Sequence, residues 1–208
     1  MENIKFKKLE KGYILVNYNT FKRLNPIVFD DISDFRDGVA SVRLRCKGWN
    51  FINKQGELLW KGDIWFSYDS YFCNGFVRVK IEGKGYNFIN TNGELLWKGN
   101  KWFDYVYDFY EGFARVEIKG KGWNFINTQG DYLWKGDKWF DNVYYFTNGI
   151  ARVEIKGLGW NLIDTNGELV YKGDKWFESA WNFDNGIANV GYKGEWYKLN
   201  TNGELIED

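Results

Sequence analysis

Short runs of this chain alternate apolar and polar residues with a period of two. In Phe113-Ala-Arg-Val-Glu-Ile118, the small or apolar Ala114, Val116 and Ile118 alternate with Arg115 and Glu117, the signature of a half-buried strand. Gly120 and Gly122 bracket a tight reversal, and a second strand is predicted over Trp123-Asn-Phe-Ile-Asn127. A four-residue turn follows as NKQG, NTNG, NTQG, DTNG and NTNG at 53–56, 90–93, 127–130, 164–167 and 200–203. Its Asn or Asp can bond the backbone two residues on, and its Gly supplies the left-handed residue of a type I turn with a G1 bulge. A third strand, such as Glu94-Leu-Leu-Trp97, leads to the aromatic segment Lys101 to Phe109. That segment is either an outer fourth strand or an irregular crossover. No stretch has helical period, so the expectation is all-β.

The pattern recurs. Phe29, Phe66, Phe103, Phe140 and Phe177 lie 37 residues apart, as do Trp49, Tyr86, Trp123 and Trp160, with Trp196 following one residue early. Segments 103–139 and 140–176 share 24 of 37 residues. Such a period marks a repeat architecture. One domain, 1–208, is expected, made of six units at about 1–28, 29–65, 66–102, 103–139, 140–176 and 177–208. The first unit is shortened and degenerate around Thr20 to Pro26.

These residues resemble the bacterial WG-repeat family, whose unit runs Phe-x-Glu-Gly-x-Ala-x-Val, then Gly-Lys-Trp-Gly-Tyr-Ile-Asp, then a Thr-Gly turn. The matching pieces are Phe109 to Val116, Gly122 to Asn127 and Thr128 to Gly130. One departure is systematic: the glycine after the tryptophan is Asn50, Asn87, Asn124 or Asn161, making this a Trp-Asn variant. The resemblance implies a repeat scaffold for interactions, with no shared catalytic residues. The run 87–97 is also similar to blades of pyrroloquinoline-quinone-type propellers. Antiparallel meander units of this kind assemble as a closed β-propeller, the expectation here, or as an open β-solenoid.

Composition narrows the function. Aromatics are 21% of residues and Gly numbers 24, against one Pro, which suits short strands and turns rather than disorder. With 28 basic and 28 acidic residues interleaved, no basic patch favours nucleic acid. Cys46 and Cys73 occupy non-equivalent repeat positions and read as free thiols of a reducing compartment. The start, MENIKFKKLEKGY, has no apolar run of signal-peptide length and no segment has membrane-spanning length. A cytoplasmic, monomeric protein without membrane contact is expected.

Chemistry is conspicuous by what is missing. With no His in the chain, the commonest general base, nucleophile dyads and most zinc sites are absent. Neither a metal site nor a cofactor is expected. Acids recur at Asp104, Asp141 and Glu178, and at Asp63, Asp137 and Asp174 with Asn100 standing in once. A glycoside hydrolase needs only two carboxylates, but acid and base need different environments. Acids that recur with the repeat read as turn or strand-end residues. The tryptophan series Trp65, Trp102, Trp139 and Trp176 sits among Lys and Asp and is expected to be partly exposed. With Asp104 and Asp141 it forms the candidate ligand-binding set.

The leading function is therefore a non-catalytic scaffold that binds another protein. The alternative is a multivalent lectin-like module binding glycan through repeated weak sites, and a carboxylate glycoside hydrolase is the remote one. A unique site has to come from positions that break the repeat: the first unit, Cys46, Cys73, and Gly191 to Trp196.

Overall fold

The computed structural model describes residues 3–67, 70–97, 102–173 and 176–206. They form two compact units that divide between Phe103 and Asp104. All regular structure among them is β, with no helix.

Each unit holds three long antiparallel hairpins. The first has Ile4–Leu9 with Gly12–Asn17, Val39–Leu44 with Gly48–Asn53, and Phe76–Ile81 with Gly85–Asn90. The second has Phe113–Ile118 with Gly122–Asn127, Ile150–Ile155 with Gly159–Asp164, and Ile187–Tyr192 with Glu195–Asn200. Among the described residues a two-residue strand lines the outer edge of four of them: Asp31–Ile32, Tyr105–Val106, Asn142–Val143 and Ser179–Ala180. The repeat is an antiparallel β-meander.

The aromatic segment is both of the things predicted. Tyr105–Val106 pairs with Val116 and Glu117; the chain then runs extended to a tight turn at Glu111-Gly112, where both φ angles are positive (47° and 84°). That is the type I′ turn whose twist matches the strands it joins. The NTQG-type turns form as expected: Asn127 Oδ1 accepts the amides of Gln129 and Asp131 at 3.0 and 2.9 Å, and Gly130 has φ 85°.

The predicted third strand is a correction. Glu94 to Trp97 contributes a single bridge, Ile89 with Leu95, because the ladder passes from backbone to side chain. Asn87 Nδ2 donates to the Trp97 carbonyl at 3.2 Å and its Oδ1 accepts the Trp97 amide at 3.3 Å. Among the described residues only the first and last copies have a third strand, at Lys22–Arg23 and Leu205–Ile206.

The period of two decides the core. Ala114 and Val116 are buried while Arg115 is not, and across the hairpin Asn124, Phe125 and Ile126 are buried together, on both faces of the strand. In the second unit, Phe125, Phe140, Phe146, Val153 and Ile163 form one cluster, and Leu162, Phe177, Val190 and Leu199 another. The first unit repeats this with Phe51, Phe66, Val79 and Ile89, and with Leu15, Phe29, Val42 and Ile52. Each such side chain contributes roughly 1.5–3 kcal/mol relative to exposure.

Candidate binding surface

The recurring acids close hairpin turns. Asp104 and Asp141 each place Oδ2 2.7 Å from a loop amide, of Lys119 and Lys156 respectively. Asp30 does the same for Arg45 at 2.9 Å, and Glu178 spreads its two oxygens over the Lys193 and Gly194 amides. Charge-assisted bonds to backbone explain why the acid repeats with the fold. Asp141 also lies 3.9 Å from Lys138 Nζ.

The tryptophan series expected at the surface is largely covered. Trp65 and Trp139 are 7% and 8% exposed, and Trp102 and Trp176 are half-buried. Tyr132 meets Trp139 edge-on at 4.8 Å, and burial pushes the Tyr132 phenol well above its ordinary range. The chain's own cations take the indole faces: Lys121 Nζ is 5.2 Å from the Trp139 ring centre and Lys47 Nζ is 5.9 Å from that of Trp65. Open clefts remain beside both rings, one of about 650 Å³ involving Lys121, Asp137, Trp139 and Asp141, the other of about 480 Å³ involving Lys47, Asp63 and Trp65. Asp137 and Asp63 thus occupy equivalent places; Asp174 and Asn100 lie outside the described residues.

The aromatic surface lies elsewhere. In the second unit the Arg115 guanidinium is sandwiched, its Cζ 3.7 Å from the Tyr107 ring centre and 3.6 Å from that of Tyr145. Its Nη1 donates to the Val143 carbonyl of the next repeat at 3.1 Å. Arg152 repeats the arrangement over Tyr144 at 4.0 Å, donating to the Ala180 carbonyl at 3.0 Å. In both, Nε is buried with no hydrogen-bond partner among the described residues, so stacking and one donor carry the cation. Around this column Tyr105 and Tyr107 pack on Trp123, and Tyr110 packs on Tyr145. Tyr110, Tyr105 and Tyr145 are 53%, 40% and 42% exposed.

The alternation puts Arg115 with Glu117, and Arg152 with Glu154, on one face of their strands, where charge pairing is open to them. The guanidinium goes instead to rings and a carbonyl. A signal was present: each arginine follows a tyrosine, Tyr107 or Tyr144, by eight residues.

The last repeat departs from this. Trp181 and Trp196, 60% and 58% exposed, stand 6.3 Å apart at 79°. With Asn189 they line an open, mostly apolar cleft of about 280 Å³. Trp196 comes one residue early because its hairpin turns on two residues, Lys193 and Gly194, both at positive φ (53° and 79°), where Ile118 and Gly122 are joined by three.

No curated protein matches the chain. Among solved structures it is similar to the computationally designed Ika8 protein at 14% identity and TM-score 0.39, over 99% of this chain and 70% of that one. BamB from Moraxella catarrhalis is similar at 12% identity and TM-score 0.39, over 99% and 72%. The WD40 β-propeller domain of Doa1 is similar at 13% identity and TM-score 0.33, over 98% and 74%. The family described as WG containing repeat matches residues 26–45, 103–121 and 140–158. The chain is thus similar to the WG containing repeat at three of its own repeats.

Proposed function

We propose that this chain is a non-catalytic repeat scaffold that binds another protein through the Tyr-Arg-Trp surface of residues 104–208. The observation that carries it is the Arg115 sandwich with its exposed surround of Tyr105, Tyr110 and Tyr145. Tyr, Trp and Arg are the residues that dominate binding energy at protein interfaces. Here the arginine is already stacked and bonded to a carbonyl, so little side-chain entropy remains to be lost on association. The acids Asp104 and Asp141 are tied to backbone amides, which supports a structural rather than an acid–base role.

The glycan reading rests on the two equivalent clefts beside Trp65 and Trp139. There a sugar ring would have to displace Lys47 or Lys121 to reach an indole face, which ranks it second.

The test is recovery of bound protein from a soluble bacterial extract on immobilised chain, against a Tyr105→Ser, Tyr110→Ser double variant. Loss of the captured protein with an unchanged thermal transition is the expected result. Equal capture by both removes this surface from the reading. A glycan array that binds the wild type, loses signal with Asp137→Ala and gains it with Lys121→Ala would favour the second reading.

A further inference from the structure

The last repeat keeps a ring where Tyr107 and Tyr144 carry an arginine, and lacks the arginine. By the 37-residue register, Trp181 stands where the repeat has Tyr107 and Tyr144, and Asn189 where it has Arg115 and Arg152. Gly191 takes the place of Glu117 and Glu154, directly opposite Trp196 in the strand pairing. In both preceding repeats a guanidinium lies on the ring, at 3.7 and 4.0 Å. At Trp181 the strand offers only a short amide, and the indole is 60% exposed.

Lys198 brings a polar residue into the place of buried Leu162. The aromatic wall goes the opposite way: tyrosine becomes tryptophan, the best ring for a cation, at the position from which the cation has been withdrawn.

We infer that the cleft formed by Trp181, Asn189 and Trp196 receives an arginine side chain from a partner protein, its guanidinium taking the place that Arg115 and Arg152 fill internally. This rests on the protein-binding reading above and names the partner's chemistry at one place. A guanidinium lying on Trp181 meets the edge of Trp196, since the two rings are nearly perpendicular. Asn189 Oδ1 supplies a hydrogen-bond acceptor. Lys198 lies opposite Asn189 in the register.

The probe is the capped tripeptide acetyl-Gly-Arg-Gly-amide, titrated into full-length chain while the indole N–H signals of Trp181 and Trp196 are followed by NMR. Those signals are assigned with Trp181→Phe and Trp196→Phe. The expected result is a shift of both, saturating with a dissociation constant on the order of 1 mM, and roughly tenfold weaker binding of the neutral citrulline isostere. Asn189→Arg, which fills the slot from within, is expected to abolish the shifts. Trp181→Leu, at an exposed position, must also abolish the Trp196 shift.

Equal binding of the arginine and citrulline peptides overturns the inference, and so does a shift that survives Asn189→Arg or Trp181→Leu. Tighter binding of a trimethyl-lysine peptide overturns arginine as the occupant. Failure here leaves the Tyr105 and Tyr110 surface untouched, and failure of the extract experiment leaves the peptide readout standing.

Discussion

Asn124 holds Trp134 by both sides of its amide: Nδ2 donates to the Trp134 carbonyl at 3.1 Å, and Oδ1 accepts the Trp134 N–H at 3.1 Å. The same Oδ1 also accepts the Phe125 amide at 2.7 Å. The side chain is fully buried and does the work of a strand backbone. Asn50 and Asn87 hold Trp60 and Trp97 in the same way, and Asn161 Nδ2 donates to the Tyr171 carbonyl at 3.1 Å. The asparagine that follows the Trp or Tyr at the start of the second strand is therefore a structural clamp.

Replacing it should be costly. Asn124→Ala strands buried donors and acceptors on Trp134 and Phe125, at about 1–3 kcal/mol for each group left unsatisfied. Asn124→Asp keeps an acceptor but loses the donor and buries a carboxylate, so it should be worse at pH 7 than at pH 4. Equilibrium urea unfolding of the two variants at both pH values checks this; a loss under about 1 kcal/mol for Asn124→Ala would remove the clamp.

Glycines at the Asn-Thr-Gly turns are points of close approach between repeats. Gly93 has φ 80°, and a Cβ there would sit 2.1 Å from the Leu59 carbonyl oxygen. Gly112 has φ 84° and nothing within 4 Å of its Cβ position. Gly112→Ala should then cost about 1–2 kcal/mol of backbone strain alone, and Gly93→Ala distinctly more. Thermal unfolding of the two variants side by side tests the order, and equal losses would contradict it.

At Arg115, lysine is not a conservative replacement. An ammonium cannot lie flat between Tyr107 and Tyr145 and still donate to the Val143 carbonyl as the planar fork does. Arg115→Lys and Arg115→Met should each destabilise by about 1–2 kcal/mol. A double-mutant cycle with Tyr107→Leu should show coupling; additive losses would show that the stacking contributes nothing.

Tyr132 makes the fold sensitive to alkali. Burial raises its phenol in the folded chain, so folding opposes its ionisation. Its contribution is fully present below the unfolded value of about 10 and declines as pH rises beyond it. Tyr132→Phe should lessen the fall in stability between pH 9.5 and 11, measured by urea unfolding at each pH. An unchanged slope would mean that Tyr132 ionises in the folded chain as freely as in the unfolded one.

Much of the fold was legible along the chain. The alternation of Ala114, Arg115 and Val116, the Asn-x-x-Gly turns and the 37-residue period each follow from local geometry, which one strand or turn imposes on its own residues. The all-β meander needed nothing more. The candidate site was less legible because exposure depends on neighbours distant in sequence. Trp139 and Trp181 both sit in polar, aromatic-rich segments. Only packing decides that Lys121 and Tyr132 cover the first while Asn189 leaves the second open. The last repeat was marked in the sequence as a break in the period at Gly191 to Trp196. What tertiary structure added is its meaning: the arginine missing at Asn189 becomes visible as a loss only once Arg115 and Arg152 are seen lying on their rings.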